Sequence, residues 1–403
     1  MNFFQNLSEM IARLLKGLFA QNSTPTSTME ESPQQPSVTD DTTTEAGQTH
    51  PQRPAIEPPP SSLDALSTEE FPPAATADAS ISTSTSPFAP ASEQPLPGEI
   101  DSGQIPAVIT VRVKLLVFNP KMSDGRTLID TLHFNDPEQM SQGMITDLKQ
   151  ASNGCLAYEI VERQTLDALP KKGDGFTYTP QAYAETYRAR LGFHEPDAVD
   201  YNSLVQGHNL IQGIQADTFD EIWLFAPPYS GFYESVMGGS GAFYCNAPPL
   251  AGTAAVPRRF FLMGFNYERG VGEMLENMGH RAEFTMLQVY RRRLGIANLW
   301  QRFTRIDMTN PGKAEVGSVH FAPNSLKDYE WNSLRTVPSH CDTWYNFPNL
   351  DGDPRLVDCT EWGGGDIRLH HLWWFKHFPH RTGQMDGISA NWWRYIANPN
   401  FVR

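Results

Sequence analysis

From Pro106 onward the chain alternates between short apolar runs and longer stretches of helical periodicity. Strand-like runs occupy 108–118 (VITVRVKLLVF), 156–162 (LAYEIVE), 220–226 (DEIWLFA), 259–265 (RFFLMGF) and 316–321 (VGSVHF). Between them, helical patterns lie near 137–151, 180–191, 199–215 and 268–294. Strands alternating with helices predict an α/β domain, a mainly parallel sheet flanked by helices. The ligand site of such a sheet is expected beyond the carboxyl ends of its strands. Those ends read Asn119-Pro120, Ala226-Pro-Pro-Tyr229, Asn266-Tyr-Glu268 and His320-Phe-Ala-Pro-Asn324.

The pattern over 268–294 has two stripes. Val271, Leu275, Met278, Ala282 and Val289 share an apolar face, while Glu273, Glu276, His280 and Glu283 fall together on roughly the opposite one, because each residue turns the helix by about 100°. Three carboxylates and an imidazole on one stripe are a set that binds a divalent metal or transfers protons; a solvated acidic face is the alternative. Glu276 and His280 stand four apart, the spacing at which two helical side chains share one metal. Gly279, between them, costs the helix about 1 kcal/mol relative to alanine, which predicts a close approach to the backbone there.

Outside these elements the texture changes. Residues 2–19 place Phe3, Phe4, Leu7, Met10, Ile11, Leu14, Leu15 and Leu18 on one helical face. This predicts a surface-lying or partner-binding helix over 1–20, with peripheral membrane contact as one use. Glu9, Arg13 and Lys16 interrupt the apolar core that a secretory signal needs. Residues 21–105 hold 14 of the 32 prolines among Ser, Thr and acids, too little apolar area to offset ordering entropy. They are expected to be a disordered linker or stalk, and stalks of this composition point to an extracellular or cell-surface location, with the cytoplasm as the alternative. After about residue 325 periodicity fades, and seven of the nine tryptophans lie between Trp331 and Trp393. The expected organisation is therefore 1–20, 21–105, an α/β domain over 106–325, and an irregular Trp- and His-rich extension over 326–403 packed on it.

Charge removes some partners. The formal charge is −15, but residues 1–105 carry three basic and fourteen acidic side chains, a net of −11, which leaves −4 for the remainder. With no basic stripe, no nucleic-acid partner is expected. No run of about 18 apolar residues exists to span a membrane. The four cysteines show no CxxC spacing; Cys341 and Cys359 are a possible bridge in an oxidising compartment, or free thiols.

Further candidates come from loops. Seven of the eleven histidines follow residue 279, including His370 and His377, which align on a helix with Trp374. Of these His320 is favoured as a partner of Glu276 and His280, because it ends a predicted strand. The loop 227–249 is rich in Gly and aromatic residues and contains Glu234, a candidate catalytic carboxylate. Its Gly238-Gly-Ser-Gly-Ala242 lacks the strand-to-helix turn of a nucleophile elbow. Trp344, Trp362, Trp392 and Trp393 are the rings that would stack on a sugar if exposed, or would pack the extension if buried. Asn349-Leu-Asp-Gly-Asp353 places glycine too early for an EF-hand and reads as a turn.

The strings DEIWLFAPPYSGFYES, FLMGFNYERGVGEMLENMGHRAE, HFAPNSLKDYEW and ISANWWRYIANPN resemble an uncharacterised group of bacterial proteins, often predicted to be exported, over most of 106–403. The resemblance implies a shared fold and no activity. Glu276-Asn-Met-Gly-His280 also looks distantly like the H-E-x-G-H helix of zinc metallopeptidases, but has Glu at the first ligand position and Asn277 where the catalytic glutamate belongs. The leading expectation is a metal-dependent hydrolase, zinc favoured, acting on peptide or cell-wall glycan. Glu276 and His280 are its ligands, Glu283 or His320 completes the site, and Glu273 or Glu268 is the base. The alternatives are a non-catalytic glycan- or surface-binding protein, and a glycosidase using Glu234 and Glu268 as its carboxylate pair.

Overall fold

The computed structural model describes residues 106–403; the helix expected over 2–19 and the linker over 21–105 lie outside the described residues. The chain runs through β1 (Ile109–Phe118), α1 (Leu128–Leu132), α2 (Pro137–Ala151), β2 (Leu156–Leu166), α3 (Pro180–Ala189), α4 (Tyr201–Gly207), α5 (Leu210–Gln215), β3 (Glu221–Ala226), β4 (Ser235–Gly238), β5 (Phe260–Asn266), α6 (Val271–Tyr290), α7 (Leu299–Phe303), β6 (Val337–Ser339), β7 (Arg355–Val357), α8 (Ile367–Lys376), β8 (His380–Met385), β9 (Ile388–Asn391) and α9 (Trp393–Ala397). The helix starts follow local chemistry. Asp136 accepts the N–H of Glu138 and Pro137 opens α2, while Thr179 and Pro180 do the same for α3.

One five-stranded sheet has the order β2-β1-β3-β5-β4. Its first four strands are parallel, and the short edge strand β4 runs antiparallel to β5. Strands β3 and β5 are almost wholly buried, as expected for parallel strands covered on both faces. The fold is thus α/β with a mainly parallel sheet.

Two expected elements differ. The pattern over 199–215 is two short helices, because Asn209 adopts a left-handed conformation (φ 54°) between them. The run 316–321 is not a strand: Gly317 turns at φ +87°, where a Cβ would strike the Phe321 carbonyl, and the segment bends instead of pairing.

Strand order reverses between β1 and β3, and there the buried Tyr267 donates its hydroxyl to the Phe118 carbonyl at 3.0 Å. Buried Lys172 bridges Asp197 Oδ1 (2.5 Å) and the Tyr229 carbonyl (2.6 Å). A cavity of about 460 Å³ lies at the carboxyl ends of β1 and β2, lined by Val117, Asn119, Thr127, Glu138 and Arg163 among others, and it contains none of the candidate residues.

The extension over 326–403 shares one apolar core with the sheet. Trp223 of β3, Trp300 and Phe303 of α7, and Trp331, Trp344, Trp362, Trp374, Trp392 and Trp393 belong to a single buried cluster. Trp344, Trp362, Trp392 and Trp393 are all 2% exposed or less, so the sugar-stacking role considered for them is wrong: their rings face each other and the core, not solvent. The cysteines Cys341 and Cys359 are separate buried thiols, not a bridge.

Candidate metal centre

Helix α6 is buried on both of its stripes. Its apolar side packs into the core, while its polar side meets the loop 316–320 and the segment preceding β4. Gly279 marks the meeting point: a Cβ there would lie 2.5 Å from Val319 Cγ2. The loop is fixed from three directions. Glu283 Oε1 accepts the Val319 N–H at 3.0 Å, Trp331 donates its indole N–H to the Val319 carbonyl at 3.2 Å, and Trp374 donates to the Gly317 carbonyl at 3.0 Å. The tryptophans of the extension therefore hold the backbone that carries His320.

This packing brings Glu276, His280 and His320 together, one potential ligand atom of each within 4.8 Å of the others. Glu276 is 7% and His280 1% exposed, and the His320 side chain 12%. The two imidazoles face each other through Nε2 at 3.0 Å. Glu276 Oε1 lies 3.2 Å from His320 Nε2 and 3.9 Å from His280 Nε2. Glu234 Oε2, from the other side, is 4.0 Å from His280 Nε2 and accepts a hydrogen bond from Asn246 Nδ2 at 2.5 Å.

The outer nitrogens decide what the inner ones can do. His280 Nδ1 pairs with Glu283 Oε2 at 3.2 Å, and His320 Nδ1 faces Asp328 Oδ1 at 3.0 Å. A carboxylate beside each Nδ1 favours the ring proton there, and with that tautomer on both rings each Nε2 is a lone pair. Two lone pairs 3.0 Å apart repel unless a cation lies between them. Tetrahedral zinc with bonds of 2.0–2.1 Å sets its ligand atoms about 3.3 Å apart, so two of the three separations already fit and the 3.9 Å contact between Glu276 and His280 needs to shorten.

Without a metal, a proton answers the same demand. Burial alone would lower His320, but Asp328 and Glu276 outweigh it and raise its pKa to about 10. Burial likewise opposes the charge on His280, yet Glu283 and Glu234 leave its pKa raised. Burial would raise Glu276; the contact with His320 and the nearby His371 and His280 pull it down to about 2. The cluster is thus a buried carboxylate beside two imidazoles that neighbouring carboxylates hold in a basic range.

Other sequence candidates lie elsewhere. Glu283 is not placed among the inner atoms: it supports His280 from behind and ties down Val319. Glu273 is occupied at the helix start, accepting the Gly270 N–H at 3.0 Å. The Glu268 carboxylate accepts the Tyr187 hydroxyl and pairs with Arg190, so neither expected base faces the cluster. Asn277 donates to the Gly264 carbonyl at 2.8 Å, anchoring α6 to β5; its side chain points to the sheet. His370 and His371 are fully buried in α8, and burial pushes His371 down to about 4. Asp328 and Tyr329, whose ring lies 4.1 Å from that of His320, were not singled out from sequence; only their position in HFAPNSLKDYEW, shortly after His320, pointed to them.

Compared with family models, curated proteins and solved structures, this chain matches none.

Proposed function

We propose that this protein is a metal-dependent hydrolase in which Glu276, His280 and His320 hold a divalent ion, zinc favoured, and Glu234 is the general base. The observation that carries this is the pair of Nε2 atoms 3.0 Å apart, each on a ring whose outer nitrogen faces a carboxylate. Carboxylate–histidine–metal arrangements use this support to fix the tautomer and raise ligand basicity. Three protein ligands leave one coordination position open, the mark of a catalytic rather than a structural zinc site.

Zinc, when bound there, supplies a Lewis acid that acidifies water and polarises a carbonyl oxygen. The chain's own residues do the rest. Glu234, held by Asn246 and directed at the cluster, takes a proton from the attacking water and returns it to the leaving amine or alcohol. It replaces Glu273 and Glu268 in this role because their carboxylates are committed to Gly270, Tyr187 and Arg190. Peptide and cell-wall glycan remain the substrate classes proposed.

The Glu276→Gln/His280→Gln variant is expected to hold one zinc equivalent fewer than purified full-length protein. Glu234→Gln should keep the metal and lose turnover by about 10²–10⁴-fold on a peptide or peptidoglycan substrate. Protein that takes up no metal after chelation and reloading would sink the proposal, as would full activity in Glu234→Gln.

A further inference from the structure

Within the aromatic extension a second group of potential ligands stands apart from the first. One ligand atom each of Cys341, Asp342 and His377 lies within 4.8 Å of the others. Cys341 opens the turn Cys341–Asn346 directly after β6, placed by the hydrogen bond from its N–H to Ser339 Oγ at 3.1 Å. Its thiol is wholly buried and faces Asp342 Oδ1 at 3.5 Å. His377 sits at the C-terminal end of α8. Its Nδ1 donates to the Trp373 carbonyl at 2.8 Å, which leaves Nε2 as an acceptor.

That nitrogen is the telling atom. His377 is 1% exposed, and Nε2 has no hydrogen-bond partner among the described residues. A buried acceptor without a donor is uncommon in a native interior and calls for an explanation. The ring is further fixed by Trp373 at 4.4 Å and by Tyr345 at 4.5 Å. The proposed hydrolysis uses none of these residues.

We propose that Cys341, Asp342 and His377 form a second metal site, for a borderline-soft divalent ion of the zinc class, that clasps the turn after β6 to the end of α8. Sulfur, imidazole and carboxylate are all ordinary zinc ligands, and the thiolate selects against magnesium and calcium. Charge also balances. Arg355 Nε contacts Asp342 Oδ2 at 2.6 Å, while its other nitrogens bind both oxygens of Glu361 at 2.6 and 2.9 Å. A thiolate, two carboxylates, one guanidinium and one divalent ion sum to zero. On binding, the Cys341 thiol gives its proton to solvent, one proton released per ion.

Cobalt(II) tests this in the intact, metal-stripped protein, because only a site with sulfur gives a near-ultraviolet thiolate-to-cobalt charge-transfer band. The expected result is that band in the wild type, with one cobalt equivalent tied to it. Cys341→Ser and His377→Gln each lose the band and one equivalent, whereas Glu276→Gln/His280→Gln keeps the band. Far-UV circular dichroism identifies which variants fold, and either single variant suffices for the assignment. Absence of the band in the wild type overturns the proposal, as does a band that persists in a folded Cys341→Ser or His377→Gln protein. Failure of the hydrolase reading leaves this result untouched, since the band does not depend on Glu276 or His280.

Discussion

Replacing Gly279 by alanine isolates how the fold positions the cluster. In an unconstrained helix the change stabilises by about 1 kcal/mol, since alanine loses less backbone entropy. Here the new Cβ would lie 2.5 Å from Val319 Cγ2, 0.9 Å short of the 3.4 Å at which ordinary contact begins. Val319 is fully buried, its N–H held by Glu283 and its carbonyl by Trp331, so its backbone cannot withdraw without breaking a hydrogen bond. Overpacking of this kind costs about 1–3 kcal/mol. That outweighs the helical gain, for a net loss of about 0–2 kcal/mol. The larger effect is displacement of the next residue, His320. If the loop retreats by most of an ångström, the Nε2 atoms separate and metal affinity falls by at least about 10-fold, in line with disturbed ligand support. Thermal unfolding and competition titration with a chromogenic zinc chelator measure the two effects. A Gly279→Ala protein that is about 1 kcal/mol more stable and binds zinc as before would refute the reasoning.

Three further outcomes follow from the same geometry. The metal-free protein should be most stable near pH 6.5. Below it His371 and His377, each pushed down to about 4 by burial, stay neutral while the unfolded chain takes up protons, so stability falls as pH drops from about 6.5 to 4. Above it the extra stability from His320 is lost as pH rises towards its folded value of about 10; chemical denaturation across pH measures both arms, and added zinc should remove the alkaline one. Asp328→Ala, which strips the outer nitrogen of His320 of its carboxylate, should weaken zinc binding by about 10–100-fold with little change in fold, read by the same chelator competition. Glu221→Ala strands Arg281, which is fully buried and paired to Glu221 Oε1 at 2.6 Å, and should cost about 3–5 kcal/mol by urea denaturation; a loss below 1 kcal/mol would show that the guanidinium finds another partner.

Periodicity made part of this arrangement legible. Helical spacing alone pairs Glu276 with His280, and the cost of Gly279 announces the contact now seen with Val319. What spacing cannot encode is which side of a ring a carboxylate meets. Glu283 shares the stripe with His280 but reaches its outer nitrogen, so it is a support where a ligand was expected. His320 joins the cluster from a bend at Gly317 rather than from the end of a strand, because a short apolar run does not distinguish a strand from a loop buried under tryptophans. Asp328 carries no periodic signal at all. The tryptophans mislead for a related reason: composition gives their number, but only the packed core shows that they face inward.

The distance in sequence between His280 and His320 has a consequence for the chain as a polymer. An ion shared by their Nε2 atoms, 3.0 Å apart, would tie two points 40 residues apart and close a loop in the manner of a covalent bridge. By chain-entropy arithmetic a permanent link of that span is worth about 4 kcal/mol against the unfolded ensemble. The ion would then act as a removable staple, and segment 281–319, with α7 inside it, should gain protease resistance when zinc is added and lose it when zinc is withdrawn.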